Sequence, residues 1–197
     1  DSGSDSTVDK GEAVIAASDI IRYAGTVEQT VRDLQQREGC SESELEFNFD
    51  SSYDNTDAVK PDCQIFAFEG GGLSYDAPKS KWMVDTPKEW YFPDDVCVED
   101  VGTSSGSCSS GNEDLVIMLP DVKTNICKQV NSKLNLNAGS NPPSYNWAGD
   151  SGSNYYTGSF TGSDTIDAVT GRRSLCFKDN DTPSGGGNHY YHVLIAR

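Results

Sequence analysis

The chain has 197 residues, 35% of them hydrophobic, and carries 31 acidic against 15 basic side chains for a formal charge of −16. That length suits one domain with a sizeable core. The charge repels phosphate backbones and anionic lipid, which argues against a nucleic-acid partner, and no stretch approaches the roughly 20 apolar residues of a membrane span.

Residues 1–6 (DSGSDS) read as a polar tail or linker, followed by one globular domain over residues 7–197. The domain opens on a long helix, about residues 8–38. Apolar or small residues fall at Ala13, Ala17, Ile20, Ala24, Val27, Val31 and Leu34, alternating steps of four and three, so they form one stripe along a helix. Glu28 with Arg32 and Asp33 with Arg37 are favourable acid-before-base pairs on the outer face. Gly39 supplies the terminator. Val14, Ile15, Ile21 and Tyr23 lie off the stripe at the N-terminal end, which marks that end for burial on a second side, by a partner or by loops of the same domain.

Ser41-Glu-Ser-Glu44 has the form of a capping box over a short helical turn. Strands are expected at residues 45–49 (LEFNF), 63–68 (CQIFAF), 82–84 and 89–92, with Gly70-Gly71-Gly72 as a turn or bulge. Residues 115–119 (LVIML) form a continuous apolar run, the pattern of a buried central strand. A second helix is expected to begin at Pro120-Asp121 and to turn Val122, Ile126, Cys127 and Val130 inward. The segment from Asn135 to Asp167 is rich in Gly, Asn, Ser and Tyr, with room for one hairpin from Tyr155-Tyr156 to Phe160. A strand bearing Cys176 follows, and residues 189–196 (HYYHVLIA) are apolar on both faces, as in an interior strand. The expected class is α+β: a long N-terminal helix packed on an antiparallel β-sheet, with a second short helix and disulfide-stapled loops.

Six cysteines and only two histidines, with no C-x-x-C pair, favour disulfides in an oxidising compartment over structural zinc. Six cysteines permit fifteen pairings. Joining neighbours in sequence gives Cys40–Cys63, Cys97–Cys108 and Cys127–Cys176, and each of these makes structural sense. An oxidised protein must cross a membrane, and the chain begins with neither Met nor a signal peptide. An export or anchor segment ahead of Asp1 is therefore expected.

Four stretches in order, SDIIRYAGTVEQTVRDLQQREGCSESELEF, CQIFAFEGGGLSY, LVIMLPDVKTNICKQVNSKLNL and HYYHVLIAR, together with the helix and cysteine layout, resemble the soluble part of type IV pilin-like and pseudopilin-like bacterial proteins. The resemblance implies a non-enzymatic structural subunit of a pilin-like filament or secretion pseudopilus. An apolar extension of the first helix, which these residues do not contain, would anchor it in the inner membrane. It also implies an extracytoplasmic location, at the periplasm or cell surface. Partners would be copies of itself or other pilin-like subunits, with Val14, Ile15, Ile21 and Tyr23 as the assembly residues.

Other chemistry is sparse. His189 and His192, three apart on a strand, point to opposite faces, and no G-x-S-x-G or H-E-x-x-H signature occurs. Asp94-Asp95 and Glu99-Asp100, beside a cysteine-bounded loop, read as solvated acids. Calcium is the candidate small ligand, with Asp50, Asp54 and Asp57 on one loop and Asp179 with Asp181 on another offering the oxygens it favours. Tyr145, Trp147, Tyr155 and Tyr156, in polar surroundings, supply a candidate ligand surface, and with it the alternative of an extracytoplasmic carbohydrate- or protein-binding, adhesin-like module.

Overall fold

The computed structural model describes residues 9–56, 61–84, 86–103, 108–109, 111–136, 141–147, 154–162, 164–180 and 187–197; the polar tail lies outside them. Helix α1 (Lys10–Asp33) begins at Asp9, whose carboxylate accepts the Glu12 N–H at 2.7 Å and so satisfies one of the free donors of the first turn. A wider turn over Leu34–Glu38 continues the helix, and Gly39, at φ 68°, ends it in the left-handed conformation that glycine adopts without strain. The spacing of four and three lays Ala13, Ala17, Ile20, Ala24, Val27, Val31 and Leu34 on the buried side, with Ala16 added. Both expected pairs form, Asp33 with Arg37 on the outer side and Glu28 with Arg32 at the edge where Glu28 meets His192.

The main sheet is built from β2 (Leu115–Val122), β6 (Asn188–Ile195), β5 (Ser174–Asp179) and β3 (Ser144–Tyr145), in that spatial order. β6 runs antiparallel to both β2 and β5, but β3 joins β5 in parallel. A second, parallel pair is formed by β1 (Val96–Val98) and β4 (Asp164–Ile166), so the β structure is mixed rather than purely antiparallel. β6 holds the interior position its two-sided apolar run predicts. Along it, Tyr190 and Leu194 join the core under the helices, while Tyr191 and Val193 join a second core on the opposite face. This is the period-two alternation of a strand.

The second helix starts later than expected. Pro120 and Asp121 still belong to β2, and α2 covers Thr124–Lys133. The ladder with β6 shifts register between Leu119 and Val122, and Asp121 takes a φ of 56°. Such a bulge is where a strand tolerates a proline with no N–H to donate. α2 packs on α1 and β5, and the inward residues Ile126, Cys127 and Val130 are as expected.

Four expected strands shrink to single bridges: Glu46 with Gln64, Met83 with Val122 and Tyr91 with Met118. Their apolar alternation serves a ring cluster instead of a ladder. Phe47 stacks on Phe92 at 3.8 Å and Phe49 on Tyr75 at 4.2 Å, with Tyr53 and Phe66 edge-on beside them. The glycine run is the expected turn: a Cβ on Gly71 would sit 2.4 Å from Thr30 Cγ2 of α1 and 2.5 Å from the Ile65 carbonyl oxygen, so only glycine lets this turn dock on the helix. No hairpin forms at 155–160; Tyr155 instead bridges Pro93.

All three bridges between sequence neighbours form, with Cα–Cα separations of 5.8 Å for Cys40–Cys63, 5.3 Å for Cys97–Cys108 and 5.4 Å for Cys127–Cys176. The last ties α2 to β5. Three disulfides fit an oxidising, extracytoplasmic location. No helix among the described residues is long and apolar enough to cross a membrane.

Candidate functional site

An open cleft of about 280 Å³ lies where residues 49–53, residues 87–91, Pro120 of β2 and Tyr155 meet. The turn at Ser51–Tyr53 is fixed by Asp50, whose carboxylate accepts the Ser52 N–H at 2.8 Å. The Ser52 hydroxyl and amide hold the Asp50 carboxyl below the usual carboxylate range, so it is charged at neutral pH. Residues 87–91 form the second wall and Tyr155 the third. The Tyr155 ring stands nearly perpendicular to those of Tyr53 (82°, 4.9 Å) and Tyr91 (84°, 5.7 Å), making an aromatic corner. Phe49 and Trp90 extend it, and the exposed carboxylates of Asp50 and Glu89 line it. The single lysine of the lining, Lys88, lies 3.7 Å from Asp121.

A second cluster surrounds Arg197. Its Nε is 3.4 Å from Glu42 and its Nη1 4.0 Å from Glu113, and its guanidinium lies 4.8 Å from the centre of the Phe160 ring. Asp94, Asp95, Glu113 and Asp114 are all buried. The reading of Asp94-Asp95 as solvated acids is thus corrected: both sit in the segment that leads into β1, whose neighbours close over them. Asp114 is well used. Its two oxygens accept the Val98 N–H at 2.7 Å and the Arg197 N–H at 3.0 Å, standing in for strand partners at the start of β2. Burial nevertheless raises its carboxyl to about 6, and that of Asp95 to about 6. One oxygen each of Glu42, Asp94, Asp95 and Glu113 is buried without a hydrogen-bond partner among the described residues. The arrangement can hold protons in the mildly acidic range.

The two histidines do face opposite ways. On the helix side, His192 Nε2 lies 2.8 Å from Glu28, which also meets Arg32 and, at 3.2 Å, Arg173. Burial lowers the His192 pKa, with Glu28 opposing. On the other side, His189 Nε2 lies 3.5 Å from Asp179, both of them buried beside Trp147.

The structure does not gather the sequence-derived candidates into one place. Of the proposed calcium ligands, Asp50 and Asp54 flank the short turn at Ser51–Tyr53, while Asp179 is buried against His189; Asp57 and Asp181 lie outside the described residues. Among the described residues no group of three or more acid, His or Cys side chains is arranged to hold a metal ion. Of the proposed ligand surface, Tyr155 lines the cleft, whereas Trp147 is buried in the far core and Tyr156 in the helix-side core, and Tyr145 is half-buried beside β5. Of the proposed assembly residues, Tyr23 stacks on Trp90 at 5.0 Å and accepts the Asp76 N–H, and Ile21 packs on the core. Val14 is half-covered, and Ile15 stands 63% exposed. The cleft walls from 49–53 and 87–91 were not anticipated as a site. The only local signal is the density of aromatics in those two segments.

Comparison of the chain with protein-family models, curated proteins and solved structures found no match.

Proposed function

We propose that the chain is a non-enzymatic structural subunit of a pilin-like filament or secretion pseudopilus, assembling through α1. The observation that carries this reading is the division of labour around that helix. Its inner stripe is fully occupied by the sheet and α2, yet Ile15, one turn from its start, presents a branched apolar side chain to solvent at 63% exposure. Burial of that side chain against another subunit would take its apolar surface out of water. The long helix laid on a disulfide-tied sheet supports the same reading, as does the oxidising compartment that the bridges require. In this account partners are further copies or other pilin-like subunits, and an apolar segment ahead of α1 holds the subunit in the inner membrane before assembly. Replacing Ile15 by Asp in the full-length protein tests it. Filaments should be lost while the secreted domain keeps its melting temperature; filaments of normal yield would refute the assembly role.

A further inference from the structure

Among the described residues two large apolar side chains stand in water, Ile15 on the outer side of α1 and Phe68, which is 93% exposed. Phe68 is held there by a fixed turn. Gly71 donates its N–H to the Gln64 carbonyl at 2.8 Å and Gly72 to the Ala67 carbonyl at 2.8 Å. A Cβ on Gly70 would sit 2.2 Å from the Gln64 oxygen, so the turn closes only on glycine. The Cys40–Cys63 bridge ties its base to the end of α1, and Phe66 packs inward on Phe49 at 5.6 Å. The turn docks at Thr30, about 22 Å along α1 from Ile15, so the two side chains lie toward opposite ends of the helix.

Their surroundings differ in charge. Residues 9–22 together with 79–81 hold four bases and three acids, in a chain of net charge −16. Lys81 reaches Glu12 and Lys79 reaches Asp19 at 3.3 Å, on either side of Ile15 along the helix. Residues 38–69 hold nine acids and one lysine, with Glu38, Asp62 and Glu69 exposed beside the turn. Like surfaces of so acidic a chain repel one another, whereas these two unlike surfaces attract.

We propose, resting on assembly through α1, that the Phe68 turn of one copy seats on the Ile15 patch of the next. The acids about Phe68 then face Arg22, Lys79 and Lys81. Because the two surfaces differ, each copy keeps one free turn or patch, and the contact repeats into a row unless its rotation closes a ring.

The test is a chemical-shift titration of isotope-labelled folded protein with unlabelled protein. Amides of residues 12–19 and 66–72 should shift together with concentration, and added salt should weaken the effect. Phe68→Ala and Ile15→Asp, both at exposed positions where the fold is not at risk, should each weaken self-association roughly 30-fold. Labelled Phe68→Ala mixed with unlabelled Ile15→Asp should recover the shifts at 12–19 alone, since that pair retains one patch and one turn. Shifts at 12–19 that survive Phe68→Ala would overturn this contact while leaving assembly through α1 standing. No recovery on mixing, or no concentration-dependent shift at either place, would overturn the contact outright, and filament yield in Ile15→Asp judges the assembly reading separately.

Discussion

On one face of the sheet, α1 closes the core with an unbroken stripe from Ala13 to Leu34, joined by α2 and by the ring cluster around Phe47 and Phe92; on the other, only short pieces do the covering, namely β1, β4, Trp147 and Tyr91. The helix satisfies its own backbone groups, so it brings only apolar side chains inward. The short pieces cannot. Their unpaired N–H groups recruit carboxylates, as Asp114 does for Val98 and Arg197, and Asp179 for the Trp147 N–H at 3.3 Å. The face with least regular structure thus carries buried acid in Asp114 and Asp179, while on the helix side Glu28 meets His192 and Glu46 is buried against Gln64.

The largest effect expected from breaking this comparison is on the disulfides. Cys127–Cys176 joins α2 to β5 on the helix face across a separation of 49, and Cys97–Cys108 closes a loop at β1 across a separation of 11. Replacing both cysteines by Ala should cost about 4 kcal/mol for the first pair and about 3 kcal/mol for the second, in the loop-entropy model. Urea midpoints of the two variants read the order; a costlier short bridge would mean that the far face depends on its staple for packing as well as for chain entropy.

A smaller effect separates the faces by pH. Asp95 and Asp114, which burial raises to about 6 from the ordinary aspartate value of 3.8, bind protons more readily folded than unfolded. Their contribution is therefore most favourable at low pH and is lost as pH rises from about 4 through 6. His192 works the other way. Burial favours its neutral ring over the usual value of 6.5, so below that pH the unfolded chain takes up more protons and stability falls. Glu42, Asp94 and Asp164 are raised in the same direction by burial, so five acids act against one histidine and stability should rise on going from pH 7 to pH 5. In Asp114→Asn that gain should shrink in denaturation curves at the two pH values. An unchanged gain would mean that the buried acids on the far face are not the source.

The helix face was the legible one. The stripe of α1, its Gly39 terminator and the runs of β2 and β6 all follow from local periodicity or spacing, because each element repeats one geometric rule along its length. The far face and the cleft follow no such rule. Nothing beside Asp94-Asp95 in sequence distinguishes them from solvated acids, since their burial is decided by β1, β4 and Arg197 arriving from elsewhere. Residues 45–49 and 89–92 alternate as strands do, but their rings stack with one another in place of forming a ladder. Tyr155 meets Tyr53 across about a hundred residues of chain, and no pattern within either segment announces the encounter. Pro120-Asp121 misled for a local reason: proline before a helical stripe usually starts a helix, and here it occupies a strand bulge.

Assembly through α1 is the central claim, and photo-crosslinking in assembled filaments tests it most directly. With a benzoylphenylalanine in place of Ile15, the account predicts a covalent dimer joining position 15 to a neighbouring pilin-like subunit, formed only when filaments are present. Normal filaments that give no intersubunit crosslink from position 15 would contradict it.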